Sequence, residues 1–141
     1  MNKNGFTLIE LLAVVVILGI MSLIAVPNVI SIIDNNKKDI ILSDARKLIS
    51  QAKYQVNVNK EIRETLNYTF YFNVLNANND IKKDPDGGNY TNESYVKYTV
   101  DNNGIANYCV YLIGSKRSVK DTSNSCVMEE YLFDRNKVVE N

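Results

Sequence analysis

The chain has 141 residues with 16 basic and 16 acidic side chains, so its formal net charge is zero at neutral pH. A balanced chain has no global field to attract nucleic acid or an anionic membrane. It has no histidine, which removes the usual general base and the commonest metal ligand.

A short polar leader ends at Gly5, and an apolar run follows from Phe6 to Ile33 with Glu10 as its only charged residue. At a helical rise of ~1.5 Å per residue the run reaches about 40 Å, enough to cross a bilayer core of ~30 Å with tilt. A cleaved secretory signal has a shorter apolar stretch and a small-residue exit site, whereas Asn28, Ser31 and Asp34 make a poor one. A plain membrane anchor explains the length but not Glu10. A carboxylate in hydrocarbon costs roughly 2.5–3.5 kcal/mol at a helix centre and signals a partner. A third reading supplies that partner. Cleavage after Gly5 makes Phe6 a new N-terminus, one helical turn from Glu10. In side-by-side helices, Glu10 of one copy can pair with the Phe6 amine of its neighbour. The pairing neutralises both charges and sets an axial stagger. Lys3 places the leader in the cytoplasm by the positive-inside rule, although Lys37 and Lys38 beyond the run make the bias slight.

The residues Gly5-Phe6-Thr7-Leu8-Ile9-Glu10-Leu11-Leu12 resemble the processing site of type IV prepilins and their pseudopilin relatives. The resemblance implies that a membrane-embedded aspartic peptidase cuts after Gly5 and methylates Phe6. It implies that Glu10 is the assembly carboxylate and that the extracted helix becomes a filament core. Gly19 and Pro27 fall where pilins commonly carry a glycine and a helix-bending proline. With no second proline before Pro85, one bend or melted turn is expected. The implied partners are further copies of the chain, other pilins, the prepilin peptidase/methylase, the pilus assembly machinery and, before assembly, membrane lipid. The precursor would sit in the cytoplasmic membrane and the mature chain in a cell-surface filament. Neither cofactor, metal nor nucleic acid is expected.

The division that follows is a leader over 1–5, a transmembrane or filament-core helix over 6–33 and a globular head over 34–141. Beyond Asp34 the helical period continues. Ile41, Ala45, Leu48, Ile49, Ala52 and Val56 draw one apolar stripe, with Lys37, Lys38, Asp44, Lys47 and Lys53 mostly off it. No Gly or Pro interrupts Asp34-Asn35-Asn36, so one continuous helix is predicted, to about Asn59 or Arg63, rather than a second amphipathic helix. The amphipathic part occupies 34–63. Pro27 need not stop it, since proline is tolerated in membrane helices.

The remainder, 67–141, reads as sheet and C-terminal loop. Tyr68, Phe70, Phe72 and Val74 alternate as a half-buried strand. Residues Asn76 to Thr91, centred on Asp84-Pro85-Asp86-Gly87-Gly88, read as an exposed connection. A hairpin follows. A three-residue loop, Asn102-Asn103-Gly104, sets Val100 opposite Ala106, Tyr98 opposite Tyr108 and Val96 opposite Val110, with Gly104 left-handed. Cys109 then lies beside Lys97 on the outer face, free to reach a C-terminal segment crossing the outside of the sheet. Ser115 to Ser125 reads as a polar loop and Val127 to Phe133 as a short edge strand. The expected fold is α+β: a pilin-like long N-terminal helix packed on three or four antiparallel strands.

Cys109 and Cys126 are an even pair in a chain read as exported, which favours a disulfide over two free buried thiols, although spacing alone shows neither. Many pilins close a C-terminal loop with a disulfide, and this placement resembles that arrangement. Asp80, Asp84 and Asp86 with Gly87 could suggest calcium, but the twelfth residue from Asp84 is Tyr95, so the EF-hand pattern fails and a solvated turn is expected. Lys116, Arg117 and Lys120 form a basic cluster that reads as a solvated loop rather than a DNA contact. Three glycosylation triplets, at Asn67, Asn89 and Asn92, read as chance in an Asn-rich chain. No residue set supports catalysis. The leading expectation is therefore a structural subunit of a type IV pilus, serving adhesion or surface motility. The alternatives are a pseudopilin of a secretion or DNA-uptake filament, and a single-pass anchored protein that never polymerises.

Overall fold

The computed structural model describes residues 5–141. Its chain divides into two compact units, one ending at Asn35 and the other spanning Asn36–Asn141. Helix α1 is Leu8–Val58.

In the first unit the apolar side chains of the described residues are all exposed. Two of the polar ones bond back to the helix. Ser22 Oγ donates to the Leu18 carbonyl at 2.8 Å and Asn28 Nδ2 to the Ile24 carbonyl at 3.1 Å. Hydrocarbon demands this self-sufficiency, because it offers polar groups no other partner. Pro27 lacks the N–H of an interior helical residue, yet the helix passes through it and through Gly19 unbroken. Of the bend or melted turn expected there, no melted turn interrupts the helix.

In the second unit α1 buries Ile41, Leu42, Ala45, Leu48, Ile49, Ala52 and Val56, the predicted stripe widened by Leu42. It ends where Asn59 turns extended. The Asn59 side chain accepts from the N–H groups of Glu61 and Ile62 and caps a single turn, α2 (Lys60–Arg63). The stripe packs on a six-stranded antiparallel sheet in the order β1-β2-β3-β4-β6, with β5 also paired to β3. The strands are β1 (Asn67–Tyr71), β2 (Tyr95–Val100), β3 (Ala106–Ile113), β4 (Arg117–Val119), β5 (Val127–Met128) and β6 (Val138–Glu140). Val96, Val110, Leu112, Val119 and Leu132 complete the core. Each such side chain contributes about 1.5–3 kcal/mol by leaving water.

The β2–β3 hairpin has the predicted register: Val96 faces Val110, Tyr98 faces Tyr108, Val100 faces Ala106, and Lys97 faces Cys109. Gly104 takes φ +80°, and the Asp101 carboxylate accepts from the N–H groups of Asn103 and Ile105 at 2.8 Å each. The three-residue loop is thus closed by its own aspartate.

Four expectations are corrected. The first strand stops at Tyr71, and Phe72–Leu75 forms a helical turn, α3. Asn76 closes the following loop by bonding Ile81 through both its amide nitrogen and oxygen, at 2.8 and 2.9 Å. The change of period turns Leu75 inward and leaves Val74 exposed. Secondly, the connection 76–91 is not simply exposed, for Ile81, Asp84 and Tyr90 are buried. Thirdly, the loop after Gly114 contains β4, whose three residues are all buried between β3 and β6. Arg-Ser-Val carries no apolar alternation to announce a strand. Finally, the edge strand expected over Val127 to Phe133 is present but only two residues long: Val127-Met128 adds to the edge of β3, with Cys109 opposite Met128. A 3-10 turn at Glu129–Tyr131 follows, and Leu132 plugs the core.

Candidate functional site

Gly5 and Phe6 precede α1 and are exposed. Thr7 and Glu10 start the helix as a reciprocal cap. Glu10 Oε2 accepts from the Thr7 N–H at 2.8 Å and from Thr7 Oγ1 at 2.9 Å, while Thr7 Oγ1 faces the Glu10 N–H at 3.4 Å. This is the Thr-x-x-Glu capping box, in which two otherwise orphaned donors are satisfied by side chains. Glu10 therefore has internal donors one turn back, and its carboxylate lies at the N-terminal end, where the helix dipole favours negative charge. No neighbouring atom lies within 4 Å of a Cβ built on Gly5 or Gly19, so the fold of one chain does not require glycine at either position. The helix that begins at Leu8 is long and apolar enough to cross a membrane.

Cys109 and Cys126 are bonded, with Cα atoms 5.4 Å apart. The link fastens the β4–β5 connection to β3.

The acidic loop does not present a solvated turn. Asp84 Oδ1 accepts from the N–H groups of Asp86 and Gly88 at 2.9 Å each, and Oδ2 from that of Ser115 at 2.5 Å. Burial opposes its charge, but the donors of Ser115, Gly88 and Asp86 together outweigh burial and hold the carboxyl below the ordinary range. Asp86 Oδ1 receives Lys37 Nζ at 2.9 Å and Arg117 Nη1 at 2.6 Å, with the aspartate side chain only 2 % exposed. Arg117 is thus withdrawn from the expected basic cluster into a buried ion pair. Among the described residues no cluster of three or more His, Cys, Asp or Glu is placed to hold a metal.

A further buried pair was not anticipated. Tyr90 OH donates to Asp44 Oδ2 at 2.9 Å, and Lys47 Nζ donates to the other oxygen at 3.1 Å. Burial, then the Asp44 charge, raises the Tyr90 hydroxyl pKa far above its ordinary value. Asp44 stands three residues after Ile41 and four before Leu48, on the edge of the apolar stripe. That spacing is the signal by which its burial was readable.

A long helix on a small antiparallel sheet is an α+β, pilin-like arrangement. Residues 1–26 match the family described as "Prokaryotic N-terminal methylation motif", so the chain carries a type IV prepilin-like signal. No curated protein and no solved structure matched the chain.

Proposed function

We propose that the chain is the precursor of a structural subunit of a type IV pilus, cut after Gly5, N-methylated at Phe6 and polymerised through its N-terminal helix. One observation carries the reading: the methylation motif covers a lone carboxylate at the start of an exposed apolar segment that has no other charge as far as Ile33. The capping box adds physical support. Before assembly, Thr7 lowers the cost of keeping Glu10 in lipid. In the filament the carboxylate answers the Phe6 amine of a neighbouring copy, and Gly19 and Pro27 let the helix bend into register. Gly5 and Phe6 stand ahead of the first helical turn, where a membrane peptidase can reach backbone that is not in the helix. Adhesion or surface motility would be the work of the finished filament.

The test is peptide mass spectrometry on a sheared cell-surface fraction. An abundant peptide beginning at methylated Phe6 is the expected result. A chain beginning at Met1 and confined to the membrane overturns the reading. A processed chain that stays in the envelope points instead to a short secretion or DNA-uptake filament. Glu10→Ala should leave the chain in the membrane and keep it out of filaments. A non-polymerising anchor would be indifferent to that substitution.

A further inference from the structure

Two loops of the head are closed by an aspartate in the same way. At the hairpin tip, Asp101 Oδ1 accepts from the N–H groups of Asn103 and Ile105 at 2.8 Å each. The Gly104 N–H donates to the Asp101 carbonyl at 3.0 Å, and the Asp101 N–H to the Ile105 carbonyl at 3.0 Å. The acidic loop repeats each of these bonds. Asp84 Oδ1 accepts from the N–H groups of Asp86 and Gly88 at 2.9 Å each. The Gly87 N–H donates to the Asp84 carbonyl at 3.1 Å, and the Asp84 N–H to the Gly88 carbonyl at 3.1 Å. Gly104 and Gly87 are both left-handed, with φ +80° and +89°.

Both loops enclose a dipeptide with the same chemical weakness. In Asn103-Gly104 and in Asp86-Gly87 a side-chain carbonyl carbon stands one residue before a backbone nitrogen that no Cβ shields. Such a nitrogen can attack the preceding Cγ and close a five-membered imide. The two sites differ in access to water. The Asp86 side chain is 2 % exposed and bound by Lys37 and Arg117, whereas Asn103 is exposed and carries the better leaving group, an amide nitrogen. Only the loop's conformation stands in the way there. In a type I turn followed by a left-handed residue, the third turn residue has ψ of about 0°. That rotation keeps Cγ of Asn103 off the Gly104 nitrogen.

We propose that Asn103 is a site of spontaneous conversion to aspartate and isoaspartate, and that Asp101 is the positioning residue that holds the conversion back. In the reaction the Gly104 nitrogen gives its proton to solvent and bonds to Asn103 Cγ. The Cγ–Nδ2 bond breaks, and Nδ2 takes a proton from water and leaves as ammonia. Water then adds to one of the two imide carbonyls and one C–N bond of the ring breaks. Opening at the side-chain carbonyl gives aspartate. Opening at the main-chain carbonyl gives isoaspartate, whose backbone is one carbon longer. Attack requires the Gly104 N–H to leave the Asp101 carbonyl and the chain to rotate at Asn103. The Asp101 carboxylate opposes both, because it grips the amides on either side of Gly104. Either product sets a second carboxylate beside Asp101, and isoaspartate also breaks the three-residue spacing that puts Val100 opposite Ala106. The change therefore unlocks the loop that suppressed it.

The test incubates the full-length chain in detergent micelles at mildly alkaline pH, with and without urea. The peptide containing Asn103 is followed by mass spectrometry and by isoaspartyl methyltransferase labelling. Reaction through an opened loop is slowed by the fraction of time the loop stays closed, so Asn103 should convert at least about tenfold more slowly in the folded chain than in urea. Asp101→Ala should carry the folded chain most of the way to the urea rate. Asp101→Asn, whose amide oxygen can accept the same two N–H bonds, should stay near the folded rate. Asn124, also left-handed, is read in the same digests as a monitor of general unfolding. Equal rates with and without urea overturn the protection, and no conversion at Asn103 in urea overturns the site. An Asp101→Ala chain that keeps its tyrosine signal and the native rate, or an increase equally large at Asn124, overturns the role of Asp101.

Discussion

Asp86→Ala should be the most damaging single charge removal in the head. The Asp86 side chain is 2 % exposed and that of Arg117 11 %, whereas Lys37 keeps 34 % of its exposure. Removing the carboxylate takes away the bonds from both Arg117 and Lys37 at once, and breaking a buried pair from one side costs about 3–5 kcal/mol. Domains of this size hold only ~5–15 kcal/mol in total. Arg117→Met should cost less, because Lys37 still neutralises Asp86. Lys37→Met should cost least, about 0–1 kcal/mol, because the freed charge on Asp86 keeps Arg117. Asp86→Leu combined with Arg117→Met should recover much of the single-variant loss, since an apolar pair of similar volume is often no worse than a buried ion pair. The assay is urea unfolding of the full chain in detergent micelles, followed by the near-ultraviolet signal of the tyrosines. An Asp86→Ala loss below about 1 kcal/mol, or a Lys37→Met loss exceeding it, would refute the assignment of Asp86 as the buried anchor.

Reduction of Cys109–Cys126 should cost about 3 kcal/mol by the loop-entropy relation, given their separation of 17 residues. At ~4–8 °C per kcal/mol for a domain near this size, melting with and without reductant should differ by roughly 12–24 °C, and coincident melts would contradict the estimate. Acid should also destabilise the head. Asp84 binds its proton less readily folded than unfolded, so its contribution is complete above the ordinary Asp value of 3.8 and drains away as pH falls through the lower folded value. Asp39 and Asp121, held down by hydrogen bonds from Arg135 and Lys137, act in the same direction. Urea midpoints measured from pH 6 downward should therefore fall only at the acid end, and Asp84→Asn should flatten part of that fall. Gly88→Ala would bring a Cβ within 2.4 Å of Ser115 Cβ, forcing the loop off its Asp84 anchor at a cost of about 1–3 kcal/mol. Adding Ser115→Gly should restore most of the lost urea midpoint.

What the sequence made legible and what it concealed divide by range. The Gly5–Glu10 motif, the stripe on α1 and the β2–β3 hairpin are local: each is set by residues within a few turns or one loop of each other. A three-residue loop with left-handed Gly104 leaves one register that keeps Tyr98 and Tyr108 on the same side, and that register is observed. Strands β4 and β6 are three residues each, too short to show a period, and they exist because β4 pairs with β3 on one side and with β6 on the other. Asp86 and Arg117 likewise read as solvent-facing charges in polar loops. Their burial depends on a partner 31 positions away, which no window of neighbouring residues contains.

The same long-range pairs explain how so polar a head keeps its connections ordered. The two stretches richest in Asn, Asp, Ser and Lys, 76–91 and 115–141, should be expensive to order, at about 1–2 kcal/mol of backbone entropy per residue. Each is tied to a different flank of α1. Lys37–Asp86 and Asp44–Tyr90 hold the first, and Asp39–Arg135, Arg46–Leu132 and Lys53–Glu129 hold the second. The charges that lie off the apolar stripe are therefore more than a soluble rim, since several of them select which segment lies on which flank. Exposed pairs contribute only about 0–1 kcal/mol each, so their effect is mainly on position. The stabilising weight falls on Leu132, Val119, the disulfide and the Asp86 anchor, whose burial the surface pairs orient. A head built this way presents two distinct flanks to its surroundings, one capped by the acidic loop and one by the C-terminal segment.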